Sequence, residues 1–239
     1  MTEPSNWVIV PAAGVGKRMG NAVPKQYLEL NQRAVIDHTI ERLLLHPAID
    51  GLYLALSEDD RWWAETEFAG HPDLVRVPGG SERCWSVFNA LQALQRRAAP
   101  DDWVLVHDAA RPCVRRGDID HLFAMLGGHE IGGLLGMPVR DTMKRTDSAD
   151  RILETVGRSH LWHAFTPQMF RFGLLFEAMD GALGAGLLVT DEASAVEWAG
   201  HRPIMVEGHA DNLKITRPED LPLAAYFLDR QLHADHLPG

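Results

Sequence analysis

The chain has only two cysteines in 239 residues, Cys84 and Cys113. Two are too few for a disulfide framework or a cysteine-based zinc site. No apolar run approaches the ~18 residues that a membrane span needs. The opening Met-Thr-Glu-Pro-Ser-Asn-Trp has no basic stretch followed by an apolar one, so no secretory signal is expected. Basic residues are scarce as well: 23 Lys and Arg stand against 33 Asp and Glu, a formal charge of -10. Coating nucleic acid requires a basic face, which argues against that class. These absences predict a soluble cytoplasmic protein whose partners include neither nucleic acid nor membrane. A small anionic ligand stays open, because a local cluster of cations can oppose the global sign.

Hydrophobic residues make up 46% of the chain, enough for a packed core. Short β-branched runs alternate with helix-period segments. Trp7-Val8-Ile9-Val10, Gly51 to Leu56, Leu74 to Val77, Trp103-Val104-Leu105-Val106 and Ile131 to Val139 read as buried strands. Between them, Ile36, Ile40, Leu43 and Leu44, and then Val87, Phe88, Leu91 and Leu94, form amphipathic stripes. Strand, helix, strand in this order predicts an α/β fold, a Rossmann-like layered sheet of mostly parallel strands flanked by helices. The charged stretch from Asp141 to Arg158, with Asp147-Ser148-Ala149-Asp150 as its turn, reads as a β-hairpin arm. Arg171 to Leu183 and Glu192 to Ala199 read as helices, and Ile204-Met205-Val206 as a short strand. Thr216-Arg217-Pro218-Glu219 reads as a capping box that opens a last helix. Without repeats or linkers, one domain over 1–239 with an arm at about 140–158 is expected.

In parallel sheets ligands gather at the carboxyl ends of strands. The first strand runs into Pro11-Ala12-Ala13-Gly14-Val15-Gly16-Lys17-Arg18-Met19-Gly20, and then Pro24-Lys25-Gln26. A Walker loop needs Ser or Thr after Gly-Lys, and Arg18 stands there instead. A dinucleotide fingerprint opens directly into a helix, and Pro24 lies where that helix would continue. A loop that cradles a nucleoside triphosphate fits better. Small residues let backbone N–H groups approach phosphate oxygens, and Lys17, Arg18 and Lys25 supply three cations within nine residues. The twelve histidines show no spacing that converges three or four zinc ligands, with His160 and His163 the nearest pair.

Further segments share an order that carries a resemblance. They are Gly79-Gly80-Ser81-Glu82-Arg83 with Ser86-Val87, Val106-His107-Asp108-Ala109-Ala110-Arg111-Pro112, and Pro138-Val139-Arg140-Asp141-Thr142-Met143-Lys144. Leu161-Trp162, Ala164 and Thr166-Pro167-Gln168 follow, then Thr190-Asp191-Glu192-Ala193-Ser194 and Asp211-Asn212 with Lys214, Thr216 and Pro218-Glu219-Asp220. Together with the glycine-rich loop, from about Trp7 to Leu228, they resemble the nucleotidyltransferases that activate sugar and polyol phosphates, within them the polyol-phosphate cytidylyltransferases.

The resemblance implies transfer of CMP from CTP to a polyol phosphate with release of pyrophosphate, using Mg2+. The implied acceptor is 2-C-methyl-D-erythritol 4-phosphate of non-mevalonate isoprenoid precursor synthesis, with ribitol phosphate or another polyol phosphate as the alternative. It assigns catalysis to Arg18, Lys25 and Lys214. Nucleotide binding falls to Pro11, Ala12, Ala13, Gly14, Gly16, Lys17, Gly79, Gly80 and Ser86. Acceptor binding falls to Asp108, Arg111, Thr142, Arg158, Thr166, Thr190 and Asp211, with Asp108 also the metal ligand. Arg83 would order its loop or touch phosphate. The arm would cross to a second subunit, making a homodimer in which Arg158 completes the neighbour's site. A glycosyltransferase would usually carry Asp-x-Asp after a central strand, and His107-Asp108-Ala109-Ala110 lacks the second Asp. A nucleotide-binding regulator without catalysis is the remaining class.

Overall fold

A computed structural model describes residues 3–14 and 23–235. Strand β1 (Asn6–Pro11) is followed by a 3-10 turn (Lys25–Tyr27), the two-residue strands β2 (Glu29–Leu30) and β3 (Arg33–Ala34), and helix α1 (Val35–Leu44). Then come β4 (Gly51–Leu56), β5 (Leu74–Pro78), α2 (Arg83–Leu94), β6 (Trp103–Val106), α3 (Arg116–Leu126) and β7 (Gly132–Pro138). The hairpin β8 (Met143–Thr146) and β9 (Ile152–Val156) leads into β10 (Trp162–Arg171), α4 (Phe172–Gly184), α5 (Glu192–Trp198), β11 (Ile204–Glu207) and α6 (Asp220–Asp235).

Seven strands form one sheet in the order β11-β7-β10-β6-β1-β4-β5, and every pairing that excludes β10 is parallel. Side-chain alternation along β1 divides the core in two. Trp7 and Ile9 pack with α2, α4 and α5 on one face, while Val8 and Val10 pack with α1 and α3 on the other. Buried Val, Leu and Ile side chains each contribute about 1.5–3 kcal/mol relative to exposure, so a sheet covered on both sides needs the unbroken apolar runs seen in the sequence. A third cluster seats α6 through Ala224 and Leu228 against Leu30, Val35, Cys113 and Ile215. Both cysteines are free and buried, and burial pushes the Cys113 thiol up to about 12.

The strands and helices expected from the apolar runs stand where they were read, within a residue or two at their ends. Besides the short 3-10 turn, β2 and β3, two longer elements were not anticipated. Strand β10 runs antiparallel between β6 and β7, with a register shift between Ala164 and Gln168. Its first residues are exposed or half-buried and Pro167 lies inside it, so neither alternation nor an apolar run marks it. Helix α3 begins with Arg116-Gly117-Asp118 and fully buries only three apolar residues, Ile119, Leu122 and Leu126. One expectation is corrected. The last helix starts at Asp220, not after Thr216, and the Asp220 carboxylate accepts from the Thr216 hydroxyl and from the N–H groups of Thr216 and Arg217. The acid therefore sits four residues beyond the threonine, one more than a capping box allows. Strands β8 and β9 pair only with each other, and the hairpin exposes Ile152 and Leu153 to solvent at 64% and 62%.

Candidate active site

The parallel strands β1 and β6 end side by side, because Val106 at the end of β6 pairs with Ile9 of β1. A cleft of about 540 Å³ opens beyond them, walled by the loop after β1, the turn at Lys25, the Gly80–Ser86 segment, Asp108 and Lys214. Each wall is tied in place. Ala12 N–H donates to the Ala55 carbonyl, and the buried Gln26 amide donates to the Ala12 carbonyl at 2.7 Å. On the other side, the Ser86 hydroxyl accepts from Gly80 N–H and donates to the Glu82 carbonyl. Glycine is required there by close approach. A Cβ on Gly79 would lie 2.2 Å from that of Ala13, and one on Gly80 would lie 2.2 Å from that of Trp85.

Asp108 lies two residues past β6 and forms the centre of a chain of charges. Its carboxylate is 2.9 Å from Arg83 Nε, 2.8 Å from Lys214 Nζ and 3.6 Å from Arg111 Nε. Arg83, from the first turn of α2, also grips Glu192 of α5 with two hydrogen bonds of 2.7 and 3.1 Å. Burial pushes the Asp108 carboxyl up, but Arg83, Lys214 and Arg111 outweigh it and hold the group well below the usual carboxylate range. Glu192 is 1% exposed; burial raises its pKa and Arg83 opposes that rise. Lys214 reaches this site because Ile215 N–H donates to the Ala110 carbonyl, which lays the loop after β11 across the end of β6. Lys25 Nζ donates to the Ile215 carbonyl from the facing turn.

Behind Asp108 stands a buried neutral network. The His107 Nε2–H donates to the Arg111 carbonyl, which leaves Nδ1 to accept from the Thr166 hydroxyl. The Thr166 oxygen in turn accepts from Asp108 N–H at 3.1 Å. Burial, opposed by the Arg111 carbonyl and the Asp108 charge, lowers the His107 pKa from 6.5 to about 4. The unfolded chain therefore takes up a proton between those values that the folded chain refuses. The His107 contribution is fully present above pH 6.5 and falls by about 3 kcal/mol as pH drops to about 4. Urea unfolding at pH 7 and pH 4 should show this loss in the wild type, and a smaller one in a His107→Asn variant. Equal acid losses in the two proteins would remove His107 as the cause.

Of the anticipated site residues, Pro11, Ala12, Ala13, Gly14, Gly80, Ser86, Lys25, Asp108 and Lys214 line the cleft. Gly79 packs directly behind Ala13. Gly16, Lys17 and Arg18 lie outside the described residues. Arg111 and Thr166 are buried in the wall, with Arg111 Nη1 donating to the Asn212 carbonyl and its guanidinium over Phe165. Four residues are not brought to the cleft. Thr142 and Arg158 are exposed at the base of the hairpin, where Arg158 donates to the Arg140 carbonyl. Thr190 is exposed, and the cap of α5 is Asp191, whose carboxylate accepts from Ser194 N–H. Asp211 turns into a second cavity, where it pairs with Arg115 at 2.7 Å and accepts from Gln231. Glu192 was not singled out, since nothing in sequence joins it to Arg83, 109 positions away; membership of both in shared motifs was the available signal.

A sequence profile described as 2-C-methyl-D-erythritol 4-phosphate cytidylyltransferase matches residues 7–230. A protein of that name from Hahella chejuensis is 54% identical over 230 residues, covering 96% of this chain and 95% of the relative. One from Pseudomonas aeruginosa is 53% identical over 219 residues, covering 91% and 94%. The crystal structure of the Francisella tularensis 2-C-methyl-D-erythritol 4-phosphate cytidylyltransferase superposes with a TM-score of 0.82 at 36% identity, covering 93% of this chain and 99% of that one.

Proposed function

The chain belongs to the 2-C-methyl-D-erythritol 4-phosphate cytidylyltransferase family, and we propose that the cleft at the ends of β1 and β6 is where it carries out that family's reaction. It is a nucleotidyltransferase that moves CMP from CTP to 2-C-methyl-D-erythritol 4-phosphate in isoprenoid precursor synthesis. The relatives' shared acceptor favours this substrate over ribitol phosphate. The observation that carries the assignment of the cleft is the Glu192–Arg83–Asp108–Lys214 charge chain facing Lys25 across a loop of small residues.

A phosphate oxygen of the acceptor attacks the α-phosphorus of CTP. A phosphorus–oxygen bond forms there as the bond to the bridging oxygen of the β-phosphate breaks, and pyrophosphate leaves with the electron pair. The attacking monoester is already anionic near neutral pH, its second pKa being ~6, so no general base is needed. The protein's work is alignment and neutralisation of charge. Arg18, Lys25 and Lys214 neutralise the α-phosphate and the leaving pyrophosphate. The small residues after β1, with Lys17, hold the nucleotide, and Gly79, Gly80 and Ser86 wall its base and ribose side. Asp108, backed by the buried Arg111 and Thr166, marks the side on which the acceptor is placed.

The family's chemistry takes a divalent cation, here Mg2+. Among the described residues no group of three or more His, Cys, Asp or Glu makes a preformed metal centre. Mg2+ characteristically uses one or two carboxylates and completes its shell with substrate phosphates, which a single strand-end carboxylate kept ionised can serve. Asp108 would hold the ion together with the triphosphate, and the ion would spread the negative charge of the phosphates.

The unit is one nucleotidyltransferase domain with an arm, placed in the cytoplasm. No helix among the described residues is long and apolar enough to cross a membrane. The exposed Ile152 and Leu153 suit the arm to a homodimer in which Arg158 and Thr142 serve the partner's acceptor site. An Arg158→Ala variant is expected to raise the acceptor KM by about tenfold or more, the worth of one charge-assisted hydrogen bond, with the CTP KM unchanged. Steady-state kinetics and sedimentation equilibrium check this, and a fully active monomer would overturn the shared site. The acceptor is tested by supplying CTP and Mg2+ with either polyol phosphate. Pyrophosphate release with ribitol phosphate alone would refute the assignment.

A further inference from the structure

The second cavity, about 990 Å³, lies on the far side of the loop that carries Lys214 and is larger than the active cleft. Its lining includes five arginines, Arg42, Arg115, Arg116, Arg140 and Arg230, against two carboxylates, Glu207 and Asp211. Asp211 is already committed to Arg115 and Gln231. Asp118 beneath is engaged by His209, which donates to it through its backbone N–H and ring nitrogen. Among the described residues, Arg42, Arg116, Arg140 and Arg230 form no ion pair. In a chain with ten more acids than bases, four guanidiniums left without a carboxylate around one concavity are not the outcome of a shortage of partners. A bound anion would relieve their mutual repulsion, and a guanidinium fork matches phosphate oxygens in pairs.

One further feature agrees. Helix α3, eleven residues long, begins at the cavity with Arg116 and Gly117, so its positive end adds to the field. We propose that this cavity is a second anion site, separate from the catalytic cleft, that takes a soluble ligand bearing two or more phosphate groups.

Equilibrium dialysis with labelled inorganic pyrophosphate tests it. The wild type should bind two pyrophosphates per chain. An Arg116→Ala, Arg230→Ala double variant should bind one, with turnover at saturating substrates within twofold of wild type; both side chains are exposed, so the fold should tolerate their removal. A Lys25→Ala, Lys214→Ala double variant should lose the other pyrophosphate and keep this one. A wild type that binds only one, as when a partner chain's acidic groups fill the cavity, overturns the proposal. So does an arginine double variant that still binds two.

Discussion

A Lys214→Ala variant should turn over on the order of 10²–10³-fold more slowly than wild type while unfolding at nearly the same temperature. The two halves of this expectation have separate causes. Lys214 Nζ rests 2.8 Å from Asp108, but its side chain is 38% exposed, so water screens the pair and the contact adds little to stability. Asp108 keeps Arg83 and Arg111 when the ammonium is gone. Catalysis is different, because negative charge accumulates on the α-phosphate and on departing pyrophosphate only as the reaction proceeds. A cation placed for that charge lowers the barrier more than it tightens substrate, so kcat should fall further than KM rises. Stopped-time pyrophosphate release and thermal unfolding measure the two quantities. A rate within threefold of wild type would remove Lys214 from the machinery, and a large fall in melting temperature would show a structural role instead.

The sequence exposed the layered fold because a sheet covered on both faces must be built from uninterrupted apolar runs. Val8 to Val10, Leu52 to Leu56 and Val104 to Val106 could hardly be anything else. It concealed β10 because that strand is defined by its neighbours. Gln168 to Arg171 pair with β6 and Gln168 to Phe170 with β7, yet the strand's first four residues, Trp162 to Phe165, are exposed or half-buried. The cleft was legible through position, since Asp108 follows a strand directly and Lys25 follows a loop of small residues. Its charge balance was not. Arg83 and Lys214 meet on Asp108 from opposite sides, at separations of 25 and 106 positions that no local pattern encodes. The placement of the arginines was hidden for the same reason, as Arg42, Arg116 and Arg230 come from three helices that only the folded sheet brings together.

Arg83→Ala is expected to cost about 3–5 kcal/mol of stability at neutral pH, besides abolishing measurable turnover. Glu192 is 1% exposed and takes both of its side-chain hydrogen bonds from Arg83. Without that guanidinium, a buried carboxylate is left without its counter-ion, and Asp108 loses the bond that fixes one of its oxygens. Burial already raises the Glu192 pKa with Arg83 present, and removing the cation raises it further. The folded variant therefore holds a proton on Glu192 at pH values where the unfolded chain, near 4.5, has released it. By linkage this stabilises the variant below that value and is lost as pH rises, so its deficit against wild type should be largest at pH 7 and shrink toward pH 4.5. Urea unfolding of both proteins across that range measures the difference, and a deficit independent of pH would show that Glu192 is not its source. A Glu192→Gln, Arg83→Ala pair separates packing from charge. The amide needs no counter-ion, so the double variant should regain part of the stability at pH 7 while remaining inactive, because Asp108 is still unsupported.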